Sequence, residues 1–516
     1  MIEVFIALIY SMMRMFSAYM LSLLLSIIIG VAMARNKYVE SFLLPILDVL
    51  QSIPILGFFP IALILLIQAV PGELGVELAI IFLITTSMIW NMIFGVYSSI
   101  KSLDPSIYDL MKVYKFNPVI SFFRIYIPAS IKAIVANSII SWAGGWFFIT
   151  SSEIIATGTT EIKVLGIGTY ILDSFVKGDI EKMYIGIVVL VLSVLATYIF
   201  LWNPMFEETG IIKLISCNVL YKNFKKIAVR LYDYAIVLVE ILSRRFRFRG
   251  TIGKLTISVK FPRNLTELLI VLSILVVFFI VLWNYMNSLY WSINVEINAA
   301  QVLLNLILSL SRVLGVVVLS LLLSLILSYY SYITIKSEKH GFMYIVLIGE
   351  ILASIPAVLW WPILSSLMKM GSLGVYMVSL VVFLQGSLWY SFFNLMLFGI
   401  SSLRKEVVEL ADVYGIKGKY FIRHIFIPIL LPSIATGMIS SWGGAWNSII
   451  VAEYFSTDNV CVNLGGIGAL MNEASSRGNV GELIILVTIL SLVIAVINKS
   501  LWSRLFRKLK GRYLVE

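Results

Sequence analysis

The chain has 516 residues, of which 60% are hydrophobic and only 13% charged. Globular proteins carry about 25% charged residues, so a soluble protein of this length could not hide so much apolar surface. The net charge of +11 invites a nucleic-acid reading, yet residues 204–266 alone hold twelve Lys and Arg against four acids, a net +8. Such clustering is how membrane proteins mark their cytoplasmic side, and it needs no nucleic acid.

The first residues, MIEVFIALIYSMMR, lack a basic leader and a small-residue cleavage site, so no removable signal peptide is expected. Uncharged runs of spanning length predict an all-α polytopic membrane protein, since the alternating ten-residue segments of a barrel are missing. In the first half the expected crossings lie at roughly 15–34, 43–68, 78–99, 130–151 and 183–202. In the second they lie at roughly 267–287, 303–330, 344–368, 375–398, 429–450 and 482–501, about 11 in all. Within the basic linker, 227–242 has an apolar stripe but too many charges to span, and it suits the cytoplasmic surface. Residues 256–261 alternate like a short strand.

Arg35, Lys37, Lys101, Lys112, Arg124, Arg404, Lys405, Lys417, Lys419, Arg423 and the linker mark one side. Glu73, Glu77, Glu296 and the loops after 153 and 453 mark the other. The positive-inside rule then puts the N-terminus outside and the C-terminus in the cytoplasm of a plasma-membrane protein. Cys217 and Cys461 fall on opposite sides, which argues against a disulfide.

An internal repeat organises these crossings. Leu21–Ser26 recurs as Leu319–Ser324, with Arg14 and Arg312 seven residues upstream of each. Ser52-Ile53-Pro54 recurs as Ser354-Ile355-Pro356, and the SWAGGW helix at Ser141–Trp146 as SWGGAW at Ser441–Trp446. Glu153 matches Glu453, and Gly166-Ile167-Gly168 matches Gly466-Ile467-Gly468, all at an offset of 300. Both copies start in the same direction, so the repeat is parallel and the segment between them must cross an odd number of times. The organisation expected is a first repeat at 1–203, a basic linker at 204–266, an extra helix at 267–288 and a second repeat at 289–516.

Between two apolar runs lies Glu409–Pro428, with Glu409-Leu410-Ala411, then three residues, Gly415, nine residues, and Ile425-Phe426-Ile427-Pro428. Leu410, Val413 and Tyr414 form an apolar ridge at helical spacing, Gly415 can end the helix in a left-handed conformation, and Pro428 is placed to start the next one. Asp109-Leu110-Met111, Tyr114 and Ile125–Pro128 form a looser copy, with Lys115 where the second has Gly415. This pattern resembles the EAA loop of ABC-transporter permeases, and the SWGGAW helix with Glu453 is similar to the nitrate/sulfonate/taurine branch, in a duplicated anion-transport form. The resemblance covers about 1–203 and 290–505.

The resemblance implies two MetI-like permease domains in one chain. It also implies two cytoplasmic ABC ATPase subunits docked at the coupling loops, a solute-binding protein outside, and alternating access for a small anion. It makes Asp109, Leu110, Met111, Tyr114, Glu409, Leu410, Ala411, Tyr414 and Gly415 coupling residues. The chain itself is expected to be no enzyme and to hold no cofactor or metal, ATP and Mg being used by the partners. Gly250–Leu255 fails the phosphate-loop spacing, and His340 and His424 make a poor metal set.

Pathway candidates are Trp142, Gly144, Trp146, Trp442, Gly444, Trp446, Glu153 and Glu453. For the Trp and Gly residues the competing reading is plain close packing of small residues between helices. For Glu153 and Glu453 it is a solvated loop position. Asp48 and Glu350 are equivalent carboxylates either functional in the membrane or hydrated near its edge, and Arg14 and Arg312 are read as snorkelling to the outer interface. The rival classes are a secondary transporter with parallel repeats, and a scaffold that moves nothing.

Overall fold

Long apolar segments must satisfy their backbone internally in a bilayer, and helices do so within one segment. The computed structural model of the chain describes residues 2–51, 54–114, 116, 121–159, 164–202, 298–336, 341–457, 460–498 and 500. The linker and the extra helix expected at 267–288 lie outside the described residues. The first repeat is α1 (Ile2–Arg35), α2 (Lys37–Leu50), α3 (Ile55–Ala69), α4 (Glu73–Lys101), α5 (Pro105–Val113), α6 (Ile127–Thr159), α7 (Ile167–Val176) and α8 (Ile180–Thr197). The second is α9 (Ala299–Lys336), α10 (Gly341–Ser354), α11 (Ser372–Phe393), α12 (Lys405–Val413), α13 (Ile427–Glu453), α14 (Ile467–Ser476) and α15 (Val480–Ile497). A hairpin, β1 (Tyr454–Thr457) with β2 (Val460–Asn463), joins α13 to α14.

Among the described residues, 8 helices are long and apolar enough to cross a membrane, four in each repeat. Two expected crossings differ from the sequence reading. The segments at roughly 43–68 and 344–368 are broken, not continuous. The first divides into α2 and α3, with Pro54 capping α3, and the second ends α10 at Ser354 before Pro356, a 3-10 turn Ala357–Leu359 and two single turns. Proline has no N–H to donate and pushes its predecessor towards extended backbone, so each helix stops there.

Freed backbone groups inside a membrane protein need partners, and two side chains supply them. Asn447 Oδ1 accepts from the Ile55 N–H at 2.7 Å, while Gln385 Nε2 donates to the carbonyls of Leu352, Ala353 and Ile355 at 2.6, 3.1 and 2.6 Å.

Pro428 stands at the second position of α13, as expected of it, and Pro128 holds the same place in α6. A π-turn, Phe122–Tyr126 or Ile422–Phe426, runs straight into α6 or α13. Widening the helix just before a proline accommodates its ring and its missing donor.

The two repeats share one core. The short α3 packs on α13, α14 and α15 of the other repeat, and α10 packs on α6 and α8. A single buried cluster runs from Met15 and Phe59 through Trp142 to Trp446 and Leu490.

Candidate functional site

The segments expected to couple to a partner form short helices, α5 and α12, with largely exposed faces. In α12, Ala411 turns inward and is buried in a cluster with Tyr332, Phe421 and Phe426. Leu410, Val413 and Tyr414, at helical spacing, point out and are 57, 82 and 73% exposed. In α5, Met111 packs against the Val96 and Tyr126 cluster, while Leu110, Val113 and Tyr114 are exposed. Asp109 and Glu409 are exposed as well. Gly415 has φ +69°, the left-handed end anticipated for it, and the Ile416 N–H closes on Ala411 O at 2.8 Å. The first repeat makes the same closure without that glycine, Phe116 N–H to Met111 O at 3.0 Å.

At the N-terminal end of α1 and α9 the repeat builds a buried clasp. Ser11 and Arg14 lie three apart on one face of α1. Ser11 Oγ donates to Glu153 Oε1 at 2.6 Å and Arg14 Nη1 donates to the same oxygen at 2.8 Å. The other oxygen accepts from the Gly168 N–H at 2.9 Å, and the Ile167 N–H donates to Ser11 Oγ at 2.9 Å. Ser309, Arg312, Glu453, Ile467 and Gly468 repeat this arrangement at 2.7, 2.8, 2.9 and 2.8 Å.

The carboxylates thus sit at the N-termini of α7 and α14, where free N–H groups and the helix dipole favour negative charge. The glycine motif follows from this approach. A Cβ on Gly166 or Gly466 would run into the glutamate carboxylate, and one on Gly168 would meet Thr150 at 2.7 Å.

Both glutamates are fully buried, so the solvated-loop reading is corrected. Arg14 does not snorkel: it is 3% exposed and also pairs with Glu77 at 2.5 Å. Arg312 is 18% exposed; it donates to Gly465 O at 2.7 Å, as Arg14 does to Leu165 O at 2.9 Å, and in place of a second carboxylate it has Leu464 O at 2.7 Å. Sequence reasoning missed Ser11, Ser309 and Glu77. The spacing Ser-x-x-Arg, present in both copies, was the available signal.

Trp142, Trp146, Trp442 and Trp446 are buried in the shared core. Trp142 meets Tyr19 and Trp202 edge-on and donates to Thr197 Oγ1 at 3.3 Å, and Trp442 meets Trp446 edge-on. Gly144 and Gly444, two positions on, point elsewhere, because two residues turn a helix by roughly 200°. They line a small, half-open cavity between α6 and the helices α11 and α13. The four indoles are not among its walls, so the glycines and tryptophans grouped together by sequence separate in space. Gly444 is also a close-approach point, since a Cβ there would strike the Gly386 carbonyl and lie 2.6 Å from the Tyr390 ring. The side chains of Asp48 and Glu350 lie outside the described residues.

Duplicated helical repeats, broken helices at matching prolines and paired short helices with exposed apolar ridges fit a multi-pass membrane permease of tandem construction. The chain belongs to the family of binding-protein-dependent transport system inner membrane components, whose profile matches it twice, at residues 22–202 and 335–505. Bicarbonate transport system permease protein CmpB of Synechocystis sp. is 27% identical over 188 residues, which is 36% of this chain and 63% of that protein. Nitrate import permease protein NrtB of Leptolyngbya laminosa is 24% identical over 194 residues, 37% of this chain and 65% of its own. Putative aliphatic sulfonates transport permease protein SsuC of Escherichia coli is 28% identical over 117 residues, 22% of this chain and 42% of that one. The chain therefore spans less than two thirds of the length of these relatives, in stretches the size of one repeat. No solved structure matches the chain.

Proposed function

We propose that this chain supplies both transmembrane halves of an ATP-driven importer for a small anion. The observation that carries the reading is the pair of exposed apolar ridges, Leu110/Val113/Tyr114 and Leu410/Val413/Tyr414, on matching short helices. Apolar ridges facing water are costly and fit a groove in a partner, the helix-in-groove mode of recognition. Two such ridges call for two ATPase subunits, whose approach would draw the repeats together. The basic linker and α5 and α12 then face the cytoplasm, and the clasp end faces a solute-binding protein outside. Anion import is supported by relatives named for bicarbonate, nitrate and sulfonates.

Co-purification of an ATPase with the full chain tests this. Val413→Asp with Leu410→Asp should weaken capture by roughly tenfold or more, as expected when anchors of a docking interface are replaced by charge. Uptake driven by a proton gradient with no ATPase bound would overturn the proposal in favour of a secondary transporter. Absence of any uptake with an ATPase bound would favour a scaffold.

A further inference from the structure

The cavity between the repeats is chemically one-sided. The first repeat contributes Ile140, Ala143, Gly144, Phe147 and Phe148, all without side-chain polar atoms. The second contributes Gln385, Tyr390 and Asn447 besides its apolar walls. Gln385 is committed elsewhere: its Nε2 holds the broken end of α10 and its Oε1 accepts from Trp389 Nε1 at 3.0 Å. Asn447 uses its oxygen on the Ile55 N–H. Among the described residues neither the Asn447 amide N–H₂ nor the Tyr390 hydroxyl meets a partner, and the hydroxyl stands 3.5 Å from where a Gly144 Cβ would be.

The matching bonds Ser141 Oγ to Met88 O and Ser441 Oγ to Ser387 O place Asn91 opposite Tyr390 in the repeat, and the offset of 300 places Phe147 opposite Asn447. Asn91 is not a wall of the cavity. Duplication has therefore not produced two equivalent faces. Aromatic rings line both faces, but only the second repeat's face offers side-chain donors.

We infer that Tyr390 and Asn447 form a solute site, built on the second repeat alone, for a small monoanion bound through neutral donors. No Lys, Arg, Asp or Glu lines the cavity among the described residues. A divalent anion would lose far more hydration there than two neutral donors restore, whereas a monoanion needs less compensation. The aromatic walls limit size and exclude solutes with extended polar chains. This inference rests on the importer reading for its biological meaning, but the site can be measured without transport.

The experiment is equilibrium binding of radiolabelled nitrate, bicarbonate and sulfate to the full chain in lipid nanodiscs. Saturable binding of nitrate or bicarbonate, with none of sulfate, is expected. Tyr390→Phe removes only the hydroxyl, and Asn447→Asp keeps the acceptor for Ile55 while replacing the donor with a negative charge. Each should weaken binding roughly tenfold or more, the worth of a hydrogen bond to a charged group. Asn91→Leu should leave it within about twofold. Two variants of different character guard against misfolding of either.

Wild-type chain that binds no monoanion saturably overturns the site, as does sulfate binding more tightly or binding indifferent to both variants. ATP-driven uptake by the assembled complex is read separately. Binding at the site without uptake overturns the importer reading and leaves the site standing.

Discussion

Arg14 and Arg312 hold equivalent glutamates but keep different company. Both donate to a backbone carbonyl, but Arg14 has a second carboxylate in Glu77 where Arg312 has the Leu464 carbonyl and more solvent. Removing one member of a buried ion pair leaves an uncompensated charge and costs about 3–5 kcal/mol. Glu453→Ala should fall in that range, and Glu153→Ala should cost less because Glu77 still neutralises Arg14. Thermal unfolding of the two variants in detergent gives the order, and a larger loss for Glu153→Ala would contradict this account. Glycine substitutions should be unequal too. A Cβ at Gly144 meets only the Tyr390 hydroxyl at 3.5 Å, whereas one at Gly444 strikes backbone. Gly444→Ala should destabilise by about 1–3 kcal/mol, the usual cost of overpacking, and Gly144→Ala by much less; the same melts measure both.

At the scale of elements, α5 and α12 end alike although Gly415 in one is Lys115 in the other. The closing bonds at 3.0 and 2.8 Å and the exposed ridges are equivalent. The Gly415/Lys115 difference is therefore accompanied by no difference in the closing bond or in the exposure of the ridges. Val113→Asp and Val413→Asp should each lower uptake by the assembled importer, and Gly415→Ala should add only about 1–2 kcal/mol of left-handed strain, since nothing crowds that position. Uptake and unfolding measured on the same three proteins separate a docking defect from a folding defect. If Gly415→Ala abolishes uptake while both valine variants transport normally, the ridges are not the coupling surface.

Across the whole molecule, α3 and α10 each pack on helices of both repeats, so the two repeats share one core. Gly57 of α3 lies against Ile450 and Met471, and Asn447 holds the Ile55 N–H. Two polypeptides made by cutting the chain within 204–266 should therefore co-purify from the membrane when expressed together. Either half alone should be degraded or aggregate, having exposed the apolar surface that the other covers. Independent stability of one half, read by size-exclusion chromatography in detergent, would show that the packing between repeats contributes little.

Spanning helices, duplication and the two short helices with their exposed ridges were legible in the sequence because each depends on local spacing. Hydrophobic run length, the offset of 300 and the positions of Gly415, Leu410 and Val413 are all properties of contiguous residues. Pro54 and Pro356 were visible as a repeat, but their effect of breaking a crossing was missed because hydropathy does not register a lost backbone donor. The clasp and the cavity belong to tertiary structure alone. Arg14 and Glu153 are 139 positions apart, and Ile55 and Asn447 are 392 apart. Whether a carboxylate is solvated or buried against a guanidinium, and which of two repeated faces carries a hydrogen-bond donor, depends on which distant helices meet. One sequence records the groups, while packing alone sets their partners and hence their charge environment.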